Sequence, residues 1–339
     1  MAVYLVIAAA TAAAARPAAA SSAQPYHYAH PGRLHPDAFQ GHPDWQRRTR
    51  KLVAAAEQQL ALPGSGVGAG AGGIVSPADF GGDPTGARDS TQAMSMAVSK
   101  LLTLGGGRKN GANQTDLGGA TLTLEGGVWA ISRPVSIPAG YANYRIEDGT
   151  IIAHDTFGTG EQALLQLGGK CGSATAGLSK NCATDLSLSE VTLDGRDRAW
   201  GGVSIVSAVN VNVGPQVMVI GFQGVGLELS GCGAGYVHDS WLGQYEAGDP
   251  RPRKDANATA ILFDNGQHDS DIENVIIFSG KVGVNSTNGA NLIQGVHTWN
   301  LAGNLGGVGI VLHNGAGRVQ DAYLDCARAT PNYAARARS

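Results

Sequence analysis

Short apolar triplets recur down the second half of this chain with one internal layout: Val203-Ser204-Ile205, Val225-Gly226-Leu227, Ala260-Ile261-Leu262, Val282-Gly283-Val284 and Val308-Gly309-Ile310. With Ile205, Leu227, Ile261, Val284 and Ile310 as markers, the steps are 22, 34, 23 and 26 residues. A second ladder follows the first: Val219-Ile220, Trp241-Leu242, Ile276-Ile277, His297-Thr298 and Tyr323-Leu324. Alternation within each segment marks strands. Repetition at about twenty to twenty-five residues, with Gly and Asn between, marks the stacked coils of a solenoid. One coil cannot bury its own apolar face, so each strand must lie on its equivalent in the next coil. The pattern therefore predicts an all-β fold, a parallel β-helix, over residues 74–325. The 34-residue step leaves room for a loop of about twelve residues, at 245–257, and loops on one side of a solenoid build binding sites.

Upstream, strand-like segments fall at 121–124, 129–131, 135–137, 144–146, 151–153, 164–167 and 186–193. Before them, Asp89 or Ser90 is placed to cap a helix whose apolar positions include Ala93, Met96, Ala97 and Leu101. That short helix would cover the open end of the first coil, where unpaired strand edges are otherwise exposed. Residues 24–73 read as a polar segment, a surface helix over 46–62 and a Gly-rich linker from Gly64 to Gly73. Strand signals stop near Leu324; residues 326–339 are Ala- and Arg-rich and irregular, so the coil stack is expected to be truncated.

Residues 1–23 read as a secretory signal peptide. Tyr4-Leu5-Val6-Ile7 and an Ala run to Ala15 form an apolar stretch too short to span a bilayer, followed by small residues up to Ala23. Secretion makes a disulfide between Cys171 and Cys182 the expectation, across a Gly/Ser/Ala-rich stretch. Cys232 and Cys326 are left unassigned. It also turns Asn113, Asn257 and Asn285 into glycosylation acceptors.

Composition narrows the classes. Gly contributes 50 of 339 residues, aromatics 6% and charged residues 15%, a balance for tight turns and strands rather than a coiled coil or a disordered polyelectrolyte. A net charge of −3 supplies no attraction for nucleic acid or an anionic membrane. No cofactor and no metal site are expected; His27, His30, His35 and His42 lack paired ligand spacing.

The run Val75-Ser76-Pro77-Ala78-Asp79-Phe80-Gly81-Gly82-Asp83-Pro84-Thr85-Gly86-Ala87-Arg88-Asp89-Ser90-Thr91 resembles the start of pectate-lyase-like β-helix enzymes. Four later stretches sharpen the likeness: Gly118 through Gly127, Ser240-Trp241-Leu242-Gly243-Gln244, Val275-Ile276-Ile277-Phe278-Ser279 and Gly295-Val296-His297-Thr298-Trp299-Asn300. Together they are similar to plant polygalacturonases of the QUARTET3 type. The resemblance implies a right-handed coil and hydrolysis of α-1,4-galacturonan in the cell wall. It implies an acidic polysaccharide as partner; with the signal stretch, a secreted monomer is expected. None of the four signature elements of the wider pectin-degrading hydrolases (Asn-Thr-Asp, Gly-Asp-Asp, Gly-His-Gly, Arg-Ile-Lys) occurs intact.

The ladder supplies candidate chemistry. Asp194, Gly221, Gly243, Ser279, Asn300 and Asp325 follow their strands and are expected to stack in one column at about 4.8 Å per coil. Asp197, Gln223, Gln244 and Lys281 lie beside it. Glycoside hydrolysis needs one carboxylic acid for the leaving oxygen and one carboxylate for water. Thr192-Leu193-Asp194-Gly195-Arg196-Asp197 is similar to an altered Asn-Thr-Asp-Gly-x-Asp element, making Asp194 the first catalytic candidate and Asp197 its partner. Asp194-Gly195 is also a common turn pair. Asp269, within a group holding Asp264, Asp271, Glu273 and His268, is the candidate replacement acid. Gln244, Lys281, His297 and Asn300 are the candidate substrate-binding residues, Lys281 for a uronate carboxylate. At a strand position, His297 reads equally as an inward core residue. Phe222-Gln223 stands where a second acidic pair is expected. Two alternatives stand beside hydrolysis: a calcium-dependent pectate lyase, and a non-catalytic wall-binding or truncated relative.

Overall fold

The computed structural model describes residues 4–6, 73–158, 160, 162–169, 182–244, 257–278, 280–287, 289–299, 307–313 and 317–325. The expected helix at 46–62, the Gly-rich linker before Gly73, Cys171, most of the 245–257 loop, Ser279, Asn300 and the 326–339 tail lie outside them. Apart from Tyr4–Val6, the described strands stack in parallel to form a right-handed β-helix.

Each coil carries three strands rather than the two legible in the ladders. The first flank stacks Val135–Pro138, Ala163–Gly168, Gly201–Val206, Val225–Ser230, Thr259–Asp264, Val282–Ser286 and Val308–His313. The second and third flanks share long strands that bend between them: Tyr141–Ala153, Ala183–Asp194, Gly233–Gly243 and Asp271–Phe278. Elsewhere they are separate, as in Ala208–Val213 then Met218–Ile220, or Leu292–Gln294 then His297–Trp299.

The register follows the inward side chains. On the first flank the column is Leu165, Val203, Leu227, Ile261, Val284 and Ile310. The rung opposite Leu227 is thus Val203, two residues before the expected Ile205 and on the same side of the pleat. The second flank stacks Ile146, Leu188, Val213, Val237, Ile272 and Ile293 inward. The third stacks Ile151, Leu193, Val219, Leu242, Ile277 and Thr298. These side chains are almost wholly buried, each apolar one contributing about 1.5–3 kcal/mol against exposure. Where the first and third flanks converge, the core narrows. A Cβ on Gly202 would lie 2.3 Å from Val219 Cγ1, and one on Gly283 2.9 Å from Thr298 Cγ2.

Corners between the second and third flanks repeat one left-handed residue per coil: Asp148, Glu190, Gln216, Asp239, Asn274, Gly295 and Asp321, with φ from 46 to 63°. Short polar side chains and glycine tolerate that conformation best, which explains why polar residues punctuate the apolar pattern here.

The helix, α1 (Thr91–Leu101), closes the first coil as expected, packing Met94, Ala97, Val98 and Leu101 onto the core. Its phase corrects the sequence expectation: Met94 and Val98 are buried, and Met96 is 45% exposed. Ser90 is the N-cap residue by backbone position, but Asp89 Oδ1 accepts the Thr91 N–H at 2.9 Å. Before it, Ser76 and Asp79 form a reciprocal capping box around the single turn Pro77–Phe80. Tyr4–Val6, within the expected signal stretch, pairs antiparallel with Val308–His313. No described helix is long and apolar enough to cross a membrane.

Candidate functional site

Asp194 closes its strand on the third flank and pairs with Ile220; the same rung continues through Gly243, Phe278, Trp299 and Asp325. The expected column was therefore one residue late at Gly221, Ser279 and Asn300. Inward Leu193, Val219, Leu242, Ile277 and Thr298 set the phase. Ile220 is apolar but lies on the opposite side of the pleat from Val219, so hydrophobicity alone does not mark the rung.

The turn after Asp194 nests on the turn of the next coil. Asp194 Oδ1 accepts the Arg196 N–H at 2.8 Å, and the residue is 6% exposed. The Gly195 N–H donates to the Ile220 carbonyl and the Asp197 N–H to the Gly221 carbonyl, both at 2.8 Å. Arg196 and Asp197 are left-handed, at φ 47° and 57°. A Cβ on Gly221 would sit 2.9 Å from Asp194 Oδ1, so the carboxylate lies directly against the following coil. Both carboxylate oxygens of Asp197 are enclosed. Asp194 and Asp197 thus share one turn, and Asp194 fills a turn role whatever chemistry it performs.

In the next coil, the ring of Phe222 is core, 1% exposed, and Gln223 Nε2 donates to the Asp197 carbonyl. Gln244, expected to face substrate, is 1% exposed instead: its Nε2 donates to the Phe222 carbonyl and its Oε1 is enclosed. Lys281 is half-buried at the start of the first flank. Its N–H donates to the Ala258 carbonyl at 2.9 Å, and its carbonyl accepts from Val308 N at 2.7 Å.

His297 is exposed on the outward side, with Thr298 inward in its place, and meets Tyr323 edge-to-face at 4.7 Å. Asp269 lies at the corner between the first and second flanks, left-handed at φ 54°, exposed, and 2.8 Å from His268 Nδ1. That corner is not the one holding Asp194 and Asp197, so the structure does not bring the third acid to the pair. Of its expected companions, Asp264 accepts from Thr287 Oγ1 at 2.6 Å and Glu273 from the Tyr236 hydroxyl at 2.6 Å. Burial, followed by that bond to Glu273, holds the Tyr236 proton well above the usual phenol range.

Sequence reasoning missed an outward aromatic set on the third flank: Trp241, Phe278, Trp299 and Tyr323, with Trp200 in the turn after Asp197. Trp200, Trp241, Trp299 and Tyr323 are 37, 36, 41 and 62% exposed. A chain with only 6% aromatics that exposes four of them invites attention, and Trp241, His297 and Tyr323 already stood at one ladder position. Among the described residues no group of three or more His, Cys, Asp or Glu side chains is arranged to hold a metal ion.

Among the other expectations, Cys182 is disulfide-bonded, with its partner outside the described residues, and Cys232 is a buried free thiol. Asn113 and Asn257 are exposed, whereas Asn285 is half-buried and its Oδ1 is 3.1 Å from His313 Nε2.

No family model matches this chain. Polygalacturonase QRT3 of Arabidopsis thaliana is 30% identical over 255 residues, 73% of this chain and 50% of the relative. The chain therefore spans about half the length of the curated relative it matches. Among solved structures, a tailspike protein of E. coli bacteriophage HK620 in complex with a pentasaccharide aligns over 75% of this chain and 46% of its own, at 14% identity and a TM-score of 0.49. The Streptococcus pneumoniae surface adhesin PfbA aligns over 66% of this chain and 61% of its own, at 15% identity and a TM-score of 0.42. The chain is a relative of the Arabidopsis polygalacturonase QRT3, folded as a right-handed parallel β-helix.

Proposed function

We propose that this protein is a secreted, pectin-directed glycoside hydrolase that acts on α-1,4-galacturonan in the cell wall. The observation that carries the proposal is the 30% identity to QRT3 over 255 residues, 73% of this chain. Asp194 and Asp197 supply two carboxylates on one turn at the end of the third flank, Asp194 6% exposed and both Asp197 oxygens enclosed. In hydrolysis one of them would protonate the leaving oxygen and the other would activate water. Lys281 would meet a uronate carboxylate.

The test is to incubate the protein with polygalacturonate and follow reducing ends and ultraviolet absorbance together. Reducing ends without absorbance are the expected result. Absorbing, unsaturated products that require calcium would replace hydrolysis by a lyase reaction. Loss of reducing ends in Asp194→Asn is expected, and unchanged activity would remove Asp194 from the mechanism.

A second reading, pectin binding without cleavage, is favoured by one observation. Phe222 and Gln223 occupy the next turn as a core ring and a backbone latch, so the second coil adds no carboxylate to the pair. Retention on immobilised pectin with no product would support that reading.

A further inference from the structure

We infer that Arg198 and Trp200, on the turn that carries Asp194 and Asp197, bind sugars of a galacturonan on either side of that turn. The guanidinium takes the carboxylate of one sugar, and the indole face covers the ring of another. The inference rests on the pectin reading above and names the residues that hold the polymer at this turn.

A sugar at Asp194 is out of reach of Lys281. That lysine follows Phe278, which stands on the Asp194 rung three coil steps further on, about 14 Å along the axis. On the turn itself the cations are Arg196, which is exposed, and Arg198, which is half-buried. Arg198 reaches back one coil: its Nη1 donates to the Asp155 carbonyl at 3.2 Å and its Nη2 to Asp155 Oδ1 at 3.1 Å. These bonds aim the guanidinium, and the fork keeps further N–H donors for another acceptor. The ion pair with Asp155 is exposed and screened, so it orients Arg198 more than it neutralises it. A planar guanidinium held this way suits a carboxylate, which it can meet through parallel N–H bonds.

Trp200 reaches the other way along the stack. A Cβ built on Gly224 lies 2.0 Å from Trp200 Cε2 and 2.3 Å from both Cδ2 and Cζ2. Cε2 belongs to the ring fusion and has ring atoms on every in-plane side, so only an approach from above the plane gives those distances. One face of the indole therefore covers Gly224 of the next coil, and the opposite face accounts for the exposure of the residue. The Trp200 backbone N–H donates to the Gln162 carbonyl at 3.0 Å, which fixes the ring from the preceding coil. A flat ring held in place with one face open suits the C–H surface of a sugar. The anchoring contacts, Asp155 and Gly224, lie two coil steps apart, about 10 Å, with the Asp194 turn between them. Charge is thus read on one side of the acids and the sugar ring on the other.

The full chain would be titrated with polygalacturonate and with the same polymer after reduction of its carboxyl groups to alcohols. Arg198→Gln is expected to weaken binding of polygalacturonate about fivefold or more and to flatten its salt dependence, while leaving the reduced polymer unaffected. Trp200→Leu is expected to weaken binding of both polymers, and Trp200→Phe, which keeps a ring face, to restore most of that loss. Asp155→Asn removes the acid that competes for Arg198 and is expected to tighten polygalacturonate binding about twofold, which a purely structural ion pair would not do. Arg145→Ala, the loss of an exposed cation on the second flank, is expected to change nothing. Unchanged binding in both Arg198→Gln and Trp200→Leu would overturn the inference while sparing the pectin reading. A loss in Trp200→Leu that Trp200→Phe does not restore would make the ring a packing element and overturn its part. Failure of the unaltered protein to bind either polymer would overturn both readings.

Discussion

The indole of Trp200 occupies the space that a side chain on Gly224 would need: a Cβ built there lies 2.0 Å from Trp200 Cε2. The contact locks the turn holding Asp194 and Asp197 to the next coil, and the Gly224 N–H donates to the Trp200 carbonyl at 2.8 Å. Gly224→Ala is expected to expel the indole, costing about 1–3 kcal/mol. A shift in tryptophan emission together with a lower denaturation midpoint would verify it. An unchanged midpoint would show that Trp200 is not held there.

Asp194 has two separable roles. Asn keeps an oxygen that can accept the Arg196 N–H, so Asp194→Asn should hold the turn and stability close to wild type. Asp194→Ala loses that acceptor and is expected to cost about 1 kcal/mol or more. Chemical denaturation of the two variants checks this independently of any activity.

Acid should loosen the N-terminal end first. Burial raises the Asp89 carboxyl, but bonds from Ser132 Oγ, at 2.6 Å, and from Thr91 outweigh it and leave the group below the usual carboxylate range. Backbone donation from Gly118 and bonds from Asn143 and Arg108 likewise lower Asp116. A depressed carboxylate contributes stability that is complete above its unfolded value, about 3.9, and is lost as pH falls through its folded value. Asp89→Asn should therefore lower stability at pH 7 and flatten its acid dependence. Thermal midpoints recorded between pH 7 and pH 2 provide the measurement.

The Cys232 thiol is pushed up to about 11, chiefly by burial. At pH 8 the native protein should resist thiol reagents at this position, and labelling should appear only with unfolding. Because the folded value exceeds the unfolded one, the thiol's contribution to stability is intact below the unfolded value and falls as pH rises from there toward 11. Mass spectrometry of peptide 232 under native and denaturing conditions tests the labelling.

Expression in a secretory host should load glycans on Asn113 and Asn257 before Asn285. The first two are exposed; Asn285 is half-buried on a strand and engaged with His313. Site-resolved glycopeptide occupancy would decide it, and full occupancy at Asn285 would mean the Val282–Ser286 strand forms after glycan transfer.

The ladders made the coil legible because burial recurs in a stack: Leu227, Ile261, Val284 and Ile310 had to match one another to bury anything. Within the ladder coils the second flank escaped notice, since its strands, such as Leu292–Gln294 and Arg318–Gln320, are short, and others bend continuously into the third. Of the proposed site, Asp194 and Asp197 were picked out by likeness to an altered Asn-Thr-Asp-Gly-x-Asp element, and the structure puts both on one turn. The inward turn of Gln244, whose amide reaches the Phe222 carbonyl of the neighbouring coil, and the separation of Asp269, set at a left-handed corner, were not legible, because neither is recorded in the linear order.

By itself, the sequence determined that the chain is a stack of coils, roughly where each strand lies, and that a helix closes the first coil. These features follow from local alternation and repetition, which the linear order carries. Only the tertiary structure decided which residues share a rung, since a one-residue change of phase reverses every side chain on a strand. That phase sent Thr298 into the core and His297 outward, placed Phe278 and Trp299 below Asp194, and assembled the aromatic face.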